Sequence, residues 1–262
     1  MNTTEKIIEL YQKGASMAFL SRKYKLSQYR IKKILKENGI QIRSRVEQLV
    51  LENIKRAKKI NHYYFDELTQ ENVYYLGFIA ADGTVRKNNN EIKIALSKID
   101  YDFLKQFKEK IQTDCKIGEY TTSNGFECVS LAFSSVNIKN QLAKYSIVPN
   151  KTYLGITMEN IPNEFKLAFI KGFFDGDGCF TYNKNTKQCM IKIASHKRDI
   201  LDEINDFFEN RGHVYLASNY NNYNLEFSTL PSLEIMRQFY NLNTPCLERK
   251  KEKYLSYLEL RK

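Results

Sequence analysis

The sequence predicts an α+β protein: two pseudo-symmetric αββαββα repeats whose antiparallel sheets form a saddle, preceded by a small all-α module. Three observations carry this expectation. Two apolar, helix-length stretches, Tyr74 to Gly83 and Ala168 to Gly178, each end in Asp-Gly, with their last aspartates 95 residues apart (177 − 82). Each stretch is followed by the same alternation of strand-like and helix-like segments. The charge is divided unevenly: of the formal +11, residues 1–65 hold 15 Lys+Arg against 5 Asp+Glu, and residues 66–262 hold 26 against 25. The 262 residues suffice for a repeated domain and an appendage.

The first module, 1–42, reads as three short helices. Thr3 or Thr4 is expected to cap the first, in which Ile7, Ile8, Leu10 and Tyr11 share a face, and Gly14 ends it. Ser16 precedes a second run with Met17, Phe19, Leu20 and Tyr24. Ser27 caps a third, with Ile31, Ile34 and Leu35 inward and Gly39 at its end. Three such helices resemble a helix-turn-helix domain of the resolvase or homeodomain-like kind. In that geometry the third helix enters the major groove with Gln28, Tyr29, Arg30, Lys32 and Lys33 as its early outward positions; Gln28 and Arg30 are assigned to bases and Lys32, Lys33 and Lys36 to the backbone. Residues 43–68 read as a basic linker whose run at 55–59 lies along phosphates.

In each Asp-Gly stretch one small residue stands four positions before another, Gly77 with Ala81 and Gly172 with Gly176. Such pairs clear a stripe of a helix of Cβ bulk, allowing two helices to meet backbone to backbone. Asp82 and Asp177 would then emerge together where both helix dipoles are negative, a conflict that a divalent cation resolves. The stretches resemble the paired signature of the LAGLIDADG homing endonucleases. The match covers the glycine, the apolar pair after it and the final Asp-Gly in both copies; Ala80 departs from the acid found at that position of the consensus.

After Asp82 and Asp177, strands begin at Thr84 and Thr181, and 92–100 can be laid beside 191–199 with the offset grown to 99 (197 − 98). Helices are expected over 102–111 and 200–210. Alternating strands follow at Val129, Leu131 and Phe133 and at Tyr223, Leu225 and Phe227, then helices near 138–145 and 233–240. This order resembles the half-domain of the same family, giving repeats at 69–155 and 156–262. Thr84, Arg86, Lys93, Thr181, Lys192, Asn224 and Glu226 are the candidates for the groove-facing side of the sheets. The segment 247–262 reads as a terminal helix without chemistry.

The chemistry that follows is hydrolysis of a phosphodiester by water, with divalent metal supplying activation and charge neutralisation. Mg²⁺ takes one or two carboxylates and keeps most of its waters, so Asp82 and Asp177 suffice; the resemblance adds the carbonyls of Ala81 and Gly176. Lys98 and Lys197, at matching places after the second strand of each repeat, are candidates for meeting transition-state charge. The resemblance implies a monomer that cuts both strands of double-stranded DNA across the minor groove at a long site, as intron or intein homing requires. A regulator on this scaffold that binds without cutting, an RNA maturase and an unrelated two-repeat structural protein are the alternatives. Five cysteines without close spacing argue against a disulfide framework or zinc site and fit a reducing compartment, cytoplasm or organelle matrix. No secretory signal is expected after Met1, and neither apolar run reaches the ~20 residues of a membrane span.

Overall fold

The computed structural model describes residues 2–56, 58–218 and 221–261. The basic run at 55–59 includes Ala57, which lies outside the described residues, as do the side chains of Lys55 and Arg56. The chain divides into two units, Met1–Lys58 and Lys59–Lys262.

The first unit is helical: α1 (Thr3–Gln12), α2 (Met17–Tyr24), α3 (Gln28–Glu37) and α4 (Arg45–Arg56). Ser16 and Ser27 cap α2 and α3 as expected, but Asn2, not a threonine, caps α1. The reason is reciprocity: Asn2 Oδ1 accepts from the Glu5 N–H at 2.9 Å while Glu5 accepts from the Asn2 N–H at 2.9 Å, and a carboxylate three residues on is what completes a capping box. Ile7, Tyr11, Leu20, Ile31 and Leu35 form the core. The left-handed backbone at Gly14 and Gly39 lets the chain leave α1 and α3. The linker expected over 43–68 is divided otherwise. Ser44 and Glu47 cap α4 reciprocally within the first unit, whereas Phe65 is wholly buried in the second, with Ile60, Tyr64 and Leu68 against the same core.

The second unit repeats itself. The first half runs α5 (Gln70–Asp82), β1 (Gly83–Val85), β2 (Glu91–Ser97), a 3-10 turn at Lys98–Asp100, α6 (Tyr101–Lys110), β3 (Ile117–Thr121), β4 (Glu127–Ser134), α7 (Val136–Lys144) and the single turn α8 (Lys151–Leu154). The second runs α9 (Asn163–Asp177), β5 (Gly178–Tyr182), β6 (Cys189–Ser195), α10 (Asp199–Phe207), β7 (His213–Leu216), β8 (Tyr223–Phe227), α11 (Thr229–Asn241) and α12 (Glu248–Arg261). Each half forms one antiparallel sheet, in the orders β1-β2-β4-β3 and β5-β6-β8-β7. Register aligns apolar residues on one face, Ile92 with Phe133 and Ile94 with Leu131 in one sheet, Ile191 with Phe227 and Ile193 with Leu225 in the other. Period-two burial of this kind leaves the opposite faces polar.

Helices α5 and α9 are apolar almost all round because they lie at the middle of this core. Thr69 caps α5 with Asn72, as expected for Thr69. Among the described residues no helix is long and apolar enough to cross a membrane.

Candidate active site and nucleic-acid interface

The pairing of α5 with α9 is written in their glycines. A Cβ on Gly77 would overlap the carbonyl of Phe169, and one on Gly172 the carbonyl of Tyr74, so backbone meets backbone at both. Further along, a Cβ on Gly176 would overlap Ala81 and come within 3.4 Å of Asp82 Oδ2. The C-terminal ends of the two helices, with Asp82 and Asp177 as last residues, are therefore adjacent.

Both carboxylates reach solvent on one side and have dense protein on the other. Burial raises Asp82 above the usual carboxylate range, opposed by Lys250, Lys151 and Arg249. Burial first, and repulsion from Asp82 second, hold Asp177 up at about 6. Two acids that resist simultaneous ionisation are the electrostatic signature of a cation site. The donors are hard oxygens, which suit Mg²⁺ or Ca²⁺, and no cluster of three or more His, Cys, Asp or Glu able to hold a metal occurs among the described residues.

Two lysines that sequence reasoning missed complete the helix ends. Lys151, at the start of α8, is buried and donates to the Ala81 carbonyl at 2.8 Å, the oxygen that the resemblance offered to a metal. Lys250, on α12, is buried and donates to the carbonyls of Phe174, Asp175 and Gly178 at 2.7, 2.7 and 2.6 Å. These ammonium groups bond carbonyls at the helix ends, the Phe174 oxygen also accepting from the Gly178 N–H, and neutralise the negative end. Burial lowers both below the ordinary lysine range, Lys250 to about 8. The signal was present: the lysines are 99 residues apart (250 − 151), the offset already seen in the preceding strands. The terminal helix, from which no chemistry was expected, thus supplies one of them. Deeper in the interface Asp175 accepts from Tyr74 Oη at 2.7 Å and from the Leu247 N–H at 3.3 Å.

The lysines named from the sequence have different surroundings. Lys197 lines a cavity of about 40 Å³ with Asp177, Lys151, Thr152, His196 and Gly155. Lys98 makes ion pairs with Glu119 at 3.3 Å and Glu127 at 3.2 Å.

On α3, Gln28, Tyr29, Arg30, Lys32, Lys33 and Lys36 are all exposed, Tyr29 at 78%, and Lys33 has an ion pair with Glu37 at 3.7 Å. On the sheets, Thr84 and Lys93 are register partners on the polar face, with Arg86 exposed beyond them. Lys93 lies over the Tyr120 ring. Thr181 is half-buried. Lys192 bonds Glu226 at 3.1 Å and Tyr215 at 3.2 Å, and Tyr215 also donates to Glu226. Asn224 corrects the expectation of an open groove-facing residue: it is 6% exposed, because Ala194 and Tyr215 flank it across the two neighbouring strands.

Residues 164–237 match the family model described as a LAGLIDADG-like domain. Over 190 residues, 71% of this chain and 68% of the relative, the chain is 30% identical to uncharacterized protein MJ0314 of Methanocaldococcus jannaschii. Among solved structures it is similar to the I-LtrWI LAGLIDADG homing endonuclease bound to target DNA, with TM-score 0.50 and 17% identity over 77% of this chain and 92% of that one. It is similar also to I-SmaMI bound to uncleaved DNA in the presence of calcium ions, with TM-score 0.51 and 16% identity over 74% and 90%.

Proposed function

The chain belongs to the LAGLIDADG family, and from that premise we propose that it is a divalent-metal-dependent endonuclease cutting double-stranded DNA at a long, specific site. The observation that carries the proposal is the adjacency of Asp82 and Asp177 at the ends of two helices in backbone contact. Burial holds both carboxyl groups up, with repulsion from Asp82 adding to it at Asp177, and such a pair accepts a cation in place of protons. Asp82 and Asp177 would hold the metal, which when bound supplies an activated water and neutralises charge on the phosphoryl oxygens.

The remaining work falls to the chain itself. Lys151 and Lys250 hold the helix-end carbonyls in place, so the aspartates project from a fixed frame. Their charges also offset the negative ends of α5 and α9 that face an incoming phosphate. Lys197, beside Asp177, is available to meet charge developing on the scissile group. The polar faces of the two sheets lie in the groove, and α3 of the first unit adds base and phosphate contacts of its own.

A second reading, a protein that binds DNA and does not cut it, draws on one observation: the Ala81 carbonyl is already engaged by an ammonium group. Incubation with Mg²⁺ and a supercoiled plasmid carrying a duplex selected from a randomised library on the wild-type protein separates the two. The nuclease reading expects linear product from the wild type, and none from Asp82→Asn or Asp177→Asn, with duplex binding retained in both. Equal cutting by wild type and variants would sink the catalytic assignment, and binding without cutting by the wild type would establish the second reading.

A further inference from the structure

The repeat is not obeyed around its own aspartates. Asp100, buried in the 3-10 turn after β2, accepts from Arg249 Nε at 3.1 Å through both carboxylate oxygens. The acid is 5% exposed and the arginine 44%, so a fixed carboxylate holds an open guanidinium. Asp100 follows β2, which pairs with β1 immediately after Asp82, and Arg249 directly precedes Lys250, whose ammonium group holds carbonyls at the end of α9. No hydrogen bond or ion pair engages the terminal Nη nitrogens of Arg249 among the described residues.

The 99-residue offset maps this pair onto Asp199 and Asn150 (100 + 99; 249 − 99). Asp199 is exposed at the first turn of α10, and Asn150 is exposed, neutral and left-handed at φ 61°. No ion pair joins them among the described residues. The Asp177 side has other basic company, the cavity shared with Lys151 and Lys197, whereas Lys98, the mate of Lys197, is bound by Glu119 and Glu127.

We propose that Arg249, held by Asp100, is a phosphate-binding and positioning residue for the Asp82 half of the site alone, so that the two DNA strands are handled by different basic groups. A guanidinium oriented through Nε by a buried carboxylate presents two Nη groups in one plane, the geometry that grips a phosphate through paired hydrogen bonds. Orientation is already fixed by Asp100, so little side-chain entropy is lost on contact. Lys197 serves the other strand.

The inference rests on the nuclease reading, and its test is chosen to fail separately. The probe is a duplex recovered from a randomised library by selection on the wild-type protein. In EDTA, phosphate-ethylation interference is mapped for wild type and Arg249→Gln; the variant is expected to lose interference at phosphates of one strand only. With Mg²⁺ and each strand end-labelled in turn, Arg249→Gln is expected to slow nicking of that strand about tenfold and leave the other within about twofold. Lys197→Gln is expected to do the converse, Arg249→Lys to restore part of the rate, and Asp100→Asn to reproduce Arg249→Gln in weaker form. Thermal melts check folding, because Arg249→Gln leaves the buried Asp100 carboxylate without its cation, whereas Arg249→Lys keeps one. Uniform slowing of both strands, or an unchanged interference pattern, overturns the proposal. If the wild type nicks neither strand, the nuclease reading fails while the interference map still decides the contact.

Discussion

At the scale of single residues, the buried lysines carry the sharpest stability prediction. Lys250 gives all three of its protons to carbonyls at the end of α9, whereas Lys151 gives one to α5. Removing a donor costs those carbonyls a hydrogen bond, although Phe174 keeps the Gly178 N–H, and the loss is partly offset by no longer burying a charge. Lys250→Met is therefore expected to cost about 3 kcal/mol and Lys151→Met about 1 kcal/mol. Urea titrations followed by circular dichroism measure both, as lower midpoints at unchanged slope. Equal losses would show that carbonyl satisfaction is not what the lysines do. The aspartates were legible in the sequence because Asp-Gly twice ends an apolar run. The lysines left only the 99-residue offset as a trace, because a lysine 69 or 73 residues downstream (151 − 82; 250 − 177) otherwise reads as surface until the fold brings it back. Lys98 shows the converse: its place in the repeat was legible, but Glu119 and Glu127 come from strands whose register no local pattern specifies.

At the scale of elements, the contact between α5 and α9 rests on two missing side chains. Added Cβ atoms at Gly77 and Gly172 would meet backbone, which cannot swing aside as a side-chain tip can. Gly77→Ala and Gly172→Ala are each expected to cost about 3 kcal/mol, against the roughly 1 kcal/mol gain that alanine brings to an ordinary helix interior. Because the helices share one interface, the double variant should lose less than the sum of the two. Chemical denaturation of the three proteins measures this; a stabilised single variant would contradict the backbone contact. The repeat order and these helices were readable from periodicity, since long apolar runs and period-two strands leave local traces. Boundaries were less so. The segment 59–68 looked like linker because its anchors, Phe65 burial and the Asn61 N–H bond to the Ile111 carbonyl, are tertiary.

At the scale of the whole molecule, two features of composition have measurable consequences. The core of the second unit is rich in tyrosine: burial raises Tyr74 well above the ordinary phenol value of 10.0, raises Tyr75 and Tyr240 too, and holds Tyr257 at about 12. A group whose folded value lies above its unfolded one stabilises the fold fully below the unfolded value and loses that contribution as pH rises through the folded one. The tyrosine contribution to stability should thus be intact below about pH 10 and be lost steeply above it. Phenolate absorbance should lag in the native protein and then appear together with loss of ellipticity. The second feature is charge. The surplus in residues 1–65, 15 Lys+Arg against 5 Asp+Glu, includes four exposed cations on α3: Arg30, Lys32, Lys33 and Lys36. If these meet phosphates, each releases condensed counterions, and the slope of log affinity against log salt records how many. Replacing all four by Gln leaves Ile31 and Leu35 in the core and so should leave the helix folded. On a random-sequence duplex, in anisotropy titrations across a range of KCl, the slope is expected to shrink by about 3 units. An unchanged slope with folding intact would mean that this basic helix faces solvent when DNA is bound, and that the second unit grips the duplex alone.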